Sequence, residues 1–252
     1  MATTLGGICH IYNEQLILPW FIKHHKTLFD EMIIIDHDSN DHSIAIIRAL
    51  APEWRIVKSK IGSFDAWKTD EEVMFYERQL TTDWKFCPNV TEFIWNKDFK
   101  SYLEQKGREN HSCIGMKSFV LVDDKERPID YTVPIYKDRH TGYRDDRHQR
   151  RWRFVHKHQD GNYEIGRHGT MHGAIHDPNC FILYMALSPW PQCLQRKLQI
   201  QTRIPKSDID ARLGFEHITT EEGLREKYTQ SEKHNLLYEP DFKKEYDHFM
   251  LQ

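Results

Sequence analysis

The 252-residue chain has no long hydrophobic run, no closely paired cysteines and no large excess of charge of either sign. Each absence removes a class of explanation. The longest apolar stretch, around residues 181–187, falls far short of the ~20 residues a membrane-spanning helix needs. The opening MATTLGGICHIYNEQ carries no basic stretch followed by an apolar one, so a secretory leader is not expected and a cytoplasmic location is. Cys9, Cys87, Cys113, Cys180 and Cys193 are odd in number, scattered and never in a C-x-x-C pair. That pattern speaks against a zinc ribbon or a disulfide framework and for a reducing compartment. With 35 basic against 38 acidic side chains, a net charge of -3, there is no global field to hold a nucleic acid. Internal repeats and low-complexity linkers are also missing.

What remains is ordinary globular material, 39% hydrophobic and 29% charged, in a chain long enough to bury roughly 70–75% of its unfolded surface without staples. Sixteen histidines are more than usual, and aromatics reach 12%, which suits either a well-filled core or a sugar-binding cleft. In the first half, apolar runs alternate with helical periodicity. Leu5–Ile11 reads as a buried strand, residues 14–26 as a helix with Pro19 in its first turn, and residues 32–35 as a second strand. A short helix over residues 43–50, with Ser43 as its cap, leads to a strand over 54–58, a helix over 65–80 and a strand over 84–87. Such alternation predicts right-handed βαβ units and a mostly parallel sheet flanked by helices.

In such sheets ligands bind beyond the carboxyl ends of the strands. Polar groups follow every predicted strand end: Asn13 and Glu14, then Asp36, Asp38 and Asp41, then Ser63 and Asp65, then Asn89, Thr91 and Glu92. One polar loop means little, but four in succession predict a site. The second half reads as strands over 112–122, 153–156, 163–167 and 181–186, with a basic stretch that includes Arg144, Arg147, Arg150, Arg151, Arg153, Lys157 and Arg167. From Pro191 onward a helical extension is expected. The expected organisation is a single domain: a parallel-strand half over 1–95, a second half over 96–190 and the helical extension over 191–252.

The run YNEQLILPWFIKHHKTLFDEMIIIDHDSNDHS resembles the opening of family 2-like glycosyltransferases, in which N-E-x-x-x-L-P-x-x-x-x-H-H leads to a strand ending D-x-x-S-x-D. The matching residues are Asn13, Glu14, Leu18, Pro19, His24, His25, Asp36, Ser39 and Asp41, and the likeness is good over roughly residues 5–95. The resemblance implies a GT-A fold, a Rossmann-like α/β sheet whose half over 1–95 binds a UDP- or GDP-sugar and whose half over 96–190 faces a glycan or glycoconjugate acceptor, the sugar passing to it with inversion. It implies that Asp36 contacts the base or ribose, that Asp38 and Asp41 shape the loop with Asn40 in a left-handed conformation, and that Asp65 contacts nucleotide or sugar. Asp36 and Asp38 as a metal pair is the alternative.

Relatives carry Asp-x-Asp followed by Glu-Phe after the fourth strand. Here WKFCPNVTEFIW keeps Glu92 and Phe93 but has Asn89 and Thr91 where the carboxylates belong. Neutral ligands hold Mn²⁺ or Mg²⁺ weakly, so the resemblance leaves two options: a divalent ion, or metal independence with arginines supplying the positive charge. Within GRHGTMHG, Arg167 and His168 are the candidates to reach the diphosphate and His172 the candidate metal ligand. The general base is Glu92 or an aspartate at 145 or 146, Asp146 being preferred. Trp67 is a core residue or a stacking ring, and the glycosylation pattern Asn89-Val90-Thr91 is coincidental. The rival readings are a non-catalytic relative that binds nucleotide or glycan, and a metal-dependent hydrolase built on Asp36, Asp38 and histidines.

Overall fold

The computed structural model describes residues 2–125, 128–145, 152–213 and 218–251. The chain is mixed α/β, with helices flanking one sheet. Strand β1 (Leu5–Ile11) is followed by α1 (Leu18–His25), β2 (Glu31–Asp36), α2 (Ser43–Leu50), β3 (Arg55–Lys58), α3 (Ala66–Glu77) and β4 (Trp84–Phe86). These four strands pair in parallel, in the order β3-β2-β1-β4, as βαβ connections require. The isoleucine run 33–35 of β2 is buried throughout, the pattern of a strand covered on both faces.

Beyond β4 the sheet changes direction. Next come β5 (Glu92–Ile94), α4 (Phe99–Arg108), β6 (Cys113–Val122), α5 (Ile135–Asp138), β7 (Thr141–Asp145), β8 (Arg153–His156) and β9 (Ile175–Leu187). β8 pairs antiparallel with β4 and β6, β7 antiparallel with β6, and β5 antiparallel with β9, while β6 and β9 run parallel. The tail forms α6 (Gln192–Gln201), α7 (Lys206–Asp210), α8 (Glu221–Gln230), the two-residue β10 (His234–Asn235) and α9 (Pro240–Phe249). None of the described helices is long and apolar enough to cross a membrane.

Several local expectations change. The helix expected from residue 14 begins at Leu18, because Glu14 is held by other partners described below. Ser43 does not cap α2. His42 occupies the cap position, and the buried Ser43 hydroxyl instead accepts the Glu14 N–H at 2.8 Å. Asp65 is the true cap of its helix, accepting the Lys68 N–H at 3.0 Å. Residues 163–167 are no strand. Tyr163 forms an isolated bridge to Thr170, and a 3₁₀ turn spans Ile165–Arg167. The reason is backbone conformation: Gly166 (φ +77) and Arg167 (φ +58) are left-handed, which no strand accommodates.

Candidate functional site

A cleft of about 700 Å³ opens at the carboxyl ends of β1 and β4. Several parts of the chain build its walls. The β1 end supplies His10, Tyr12 and Glu14; the start of α3 supplies Ala66, Thr69 and Asp70. Residues 165–168 and Arg153 of β8 form another wall, and the stretch from α6 through α7 to Leu213 closes the cleft through Arg196, Lys197, Ile200, Ile204, Asp208, Arg212 and Leu213. Asn89 and Thr91 lie at the β4 end of it.

Of the residues singled out from the sequence, the fold brings Glu14, Asn89, Thr91, Arg167 and His168 to this cleft. Glu14 is buried and bound by Arg196, whose Nε donates to both carboxylate oxygens at 2.7 and 2.8 Å. Burial pushes the Glu14 pKa up, opposed by the Arg196 charge. Arg167 donates through Nη1 to Asp70 and through Nη2 to the Asn89 side-chain oxygen at 2.8 Å. Burial works to lower the Arg167 pKa, but Asp70, Glu92 and other neighbouring acidic groups together outweigh it, and the group is held above its ordinary value. Its Nε is buried and has no hydrogen-bond partner among the described residues.

Glu92 is near the cleft but does not line it. Arg153 grips it through Nε (2.9 and 2.8 Å) and Nη2 (2.6 Å), and both side chains are almost fully buried. The same arginine uses Nη1 to hold the Gly166 carbonyl (3.0 Å) and His168 Nδ1 (2.7 Å), so it ties β5 to the turn that carries Arg167 and His168. Because a guanidinium only donates, His168 Nδ1 is the unprotonated nitrogen in this contact. With both oxygens occupied by a cation, Glu92 has no free lone pair directed at a substrate, so the structure places it as a tether. Asp146, Arg147, Arg150 and Arg151 lie outside the described residues.

The other expected residues lie elsewhere. Asn13, left-handed at φ +53, exchanges hydrogen bonds with Asn40 (2.9 and 2.8 Å) and takes Ser39 Oγ with its N–H. Asp36 accepts the Ser39 N–H at 3.0 Å, and Asp41 accepts the N–H groups of Gln15 and Ser43. The left-handed residue of that loop is Asp38 (φ +67), not Asn40, and its exposed carboxylate pairs with Lys58. Asp65 is used by its helix cap and Lys68. His172 stacks on His158, with ring centroids 3.7 Å apart, and its Nε2 donates to the Asp160 carbonyl at 2.9 Å, away from the cleft. Trp67 is 58% exposed, which removes the core reading.

A partition explains why the Asp36 loop and the cleft do not merge. Phe64 packs on His37 (4.3 Å between centroids) and edge-on against Tyr12 (5.7 Å). The Arg203 guanidinium sits 4.4 Å over the Tyr12 ring and donates to His37 Nδ1 (3.1 Å) and the Gly62 carbonyl (3.2 Å). Burial first, then the neighbouring His10 and Arg203 charges, push His37 down to about 4, so the ring is neutral and can accept from Arg203.

The position that resembles a metal motif does not suit a metal. Asn89 already accepts from Arg167, Glu92 is saturated by Arg153, and two guanidinium groups would oppose a divalent cation. Nor is any group of three or more His, Cys, Asp or Glu side chains arranged to hold a metal ion among the described residues.

Sequence reasoning missed Asp70, Arg196, Asp208 and Arg212 as cleft residues. Only Arg196 carried a signal, as a charge among the apolar positions Cys193, Leu194 and Ile200 of an amphipathic helix. The others arrive through tertiary packing: Asp208 accepts the Ala66 N–H at 2.7 Å across 142 residues.

No protein-family model matches the chain, and no curated protein matches it either. Among solved structures, S. aureus TarS 1-349 is 10% identical with a TM-score of 0.46, covering 91% of this chain and 73% of that one. The same protein in complex with UDP gives 12% and 0.37, covering 50% and 38%. Glucosyl-3-phosphoglycerate synthase from Mycobacterium tuberculosis with Mn²⁺, UDP and glucosyl-3-phosphoglycerate gives 16% and 0.33, covering 47% and 44%. The matched part is thus less than half the length of either ligand-bound chain.

Proposed function

We propose that the chain is a glycosyltransferase of the nucleotide-sugar-dependent kind, working on a glycan or glycoconjugate acceptor without a bound metal. The observation that supports this most is the meeting of Glu14, Asn89 and Thr91, from strand ends of the first half, with Arg167 and His168 from the second half, in one cleft. In this reading the departing diphosphate lies along Arg167, whose charge is fixed by Asp70 and whose Nε is a spare donor. His168, oriented by Arg153, donates through its outer nitrogen to the same oxygens. The guanidinium groups supply the positive charge that a cation supplies elsewhere.

The general base is the open part of this reading. Glu92 would have to break three contacts with Arg153 to accept a proton, and Asp70 and Glu14 are each held by an arginine. Asp208 is the cleft carboxylate with no guanidinium partner among the described residues, and alongside Asp146 it is the group we assign to test. The engagement of Glu92 favours a second reading, a relative that binds nucleotide or glycan without turnover.

Thermal unfolding with UDP, GDP and their sugars tests the first reading, since ligand at 100 times its Kd stabilises by about 2.7 kcal/mol. Donor hydrolysis or transfer that persists with a chelator supports metal-free catalysis. Binding without turnover selects the second reading, and no stabilisation by any nucleotide sinks both.

A further inference from the structure

An exposed arginine is ordinarily satisfied by water, but three observations set Arg212 apart. First, it lines the same cleft as Arg167, although it lies in the segment after α7 at the far end of the chain. That segment is fixed in place: Asp208 accepts the Ala66 N–H at the start of α3, the Phe64 N–H donates to the Arg203 carbonyl, and Leu213 N–H donates to the Asp208 carbonyl. Second, Arg212 is left-handed at φ +55, as Arg167 is at φ +58. A β-carbon disfavours this conformation, and asparagine or aspartate fills it more readily than arginine. Two left-handed arginines on one cleft are a placement that backbone preference resists.

Third, among the described residues no carboxylate is paired with Arg212. Arg153 is matched by Glu92, Arg167 by Asp70 and Arg196 by Glu14. The Arg212 side chain makes no hydrogen bond or ion pair among the described residues. An anion entering the cleft therefore meets one guanidinium whose five donors need not be released from a carboxylate first. Arg167, which lines the same cleft, has a buried Nε without a partner among the described residues.

We propose that Arg212 is an anion-binding residue that, with the spare donor of Arg167, holds a diphosphate in this cleft. The assignment rests on the nucleotide-sugar reading above for the identity of its physiological ligand, but not for the anion site itself. It also gives the C-terminal extension a part in ligand binding: the residue that completes the site is delivered by α6 and α7 and not by the parallel strands.

The test uses the full chain with Arg212→Gly, Arg212→Ala and Arg212→Lys, and inorganic pyrophosphate, UDP and GDP as probes. Glycine separates side chain from backbone, because it removes the guanidinium while relaxing the left-handed position. Calorimetric titration is expected to show pyrophosphate bound about tenfold or more weaker by the glycine and alanine variants, with lysine between them and the wild type. The unliganded glycine variant is expected to melt no lower than the wild type, so that lost affinity is not lost folding. Affinity of the glycine variant within about twofold of wild type for every probe the wild type binds overturns the proposal and leaves the nucleotide reading standing. Pyrophosphate binding that needs Arg212, with no response to UDP or GDP, upholds the anion site and removes the nucleotide reading. A wild type that binds none of the three overturns both.

Discussion

Replacing Glu92 by glutamine separates a tether from a catalytic base. Glu92 and Arg153 are 1% and 3% exposed and share three short contacts, so the pair is fully desolvated. Glutamine keeps the volume and one acceptor oxygen, but it turns an NH₂ toward a guanidinium that can only donate and leaves a buried positive charge without its partner. Removing one member of such a pair costs about 3–5 kcal/mol, and the retained acceptor puts this change near 3. For a chain of this size each kcal/mol moves the melting temperature by roughly 2–4 °C, giving a fall of about 6–12 °C. Urea titration of E92Q, Arg153→Met and the double variant measures it. The double variant, with no orphaned charge, is expected to recover part of the loss, and the coupling energy gives the strength of the pair. A glutamine variant within about 1 kcal/mol of wild type refutes the tether argument and returns Glu92 to candidacy as a base.

Three further outcomes follow from the same packing. His24 and His37 are both pushed down to about 4, chiefly by burial, so the stability they contribute is complete above the unfolded value near 6.5 and is lost as pH falls toward 4. Each should cost about 2 kcal/mol at pH 5, and urea midpoints at pH 7 and pH 5 check it, with a shared flat profile refuting neutral burial. Gly166→Ala forces a β-carbon onto φ +77 and to 3.0 Å from the His168 ring, so we expect about 1 kcal/mol of lost stability and weaker binding of any cleft ligand. Ser43→Ala deprives the buried Glu14 N–H of its acceptor and should cost about 1–3 kcal/mol, read by the same titration, although Ser43 caps nothing.

The parallel strands were legible because their signal is local. Leu5–Ile11 and the isoleucine run of β2 announce themselves by apolar content alone. The antiparallel return of β8 onto β4 was not legible, since strand direction is decided by where the chain comes back and not by the residues of RFVH. The site divides in the same way. Glu14, Asn89 and Thr91 follow strands and were found by that rule. Asp36 and Asp65 obey it too, yet Asp36 turns one oxygen to the Ser39 N–H and Asp65 both of its oxygens to Lys68, and one-dimensional spacing does not reveal which polar groups a loop keeps for itself. The turn at 163–167 looked extended because its apolar residues alternate, whereas the glycine at 166 and the left-handed arginine beside it decide the conformation.

The Phe64, His37 and Arg203 stack has a consequence for the tempo of binding. A short ligand that stays beside Arg167 enters an open basin and can exchange quickly. A ligand long enough to touch both Arg167 and Asp36 must first unseat an aromatic ring and a guanidinium that hold each other through Tyr12, so its arrival takes two steps instead of one. Length, more than charge, then separates fast visitors from slow ones.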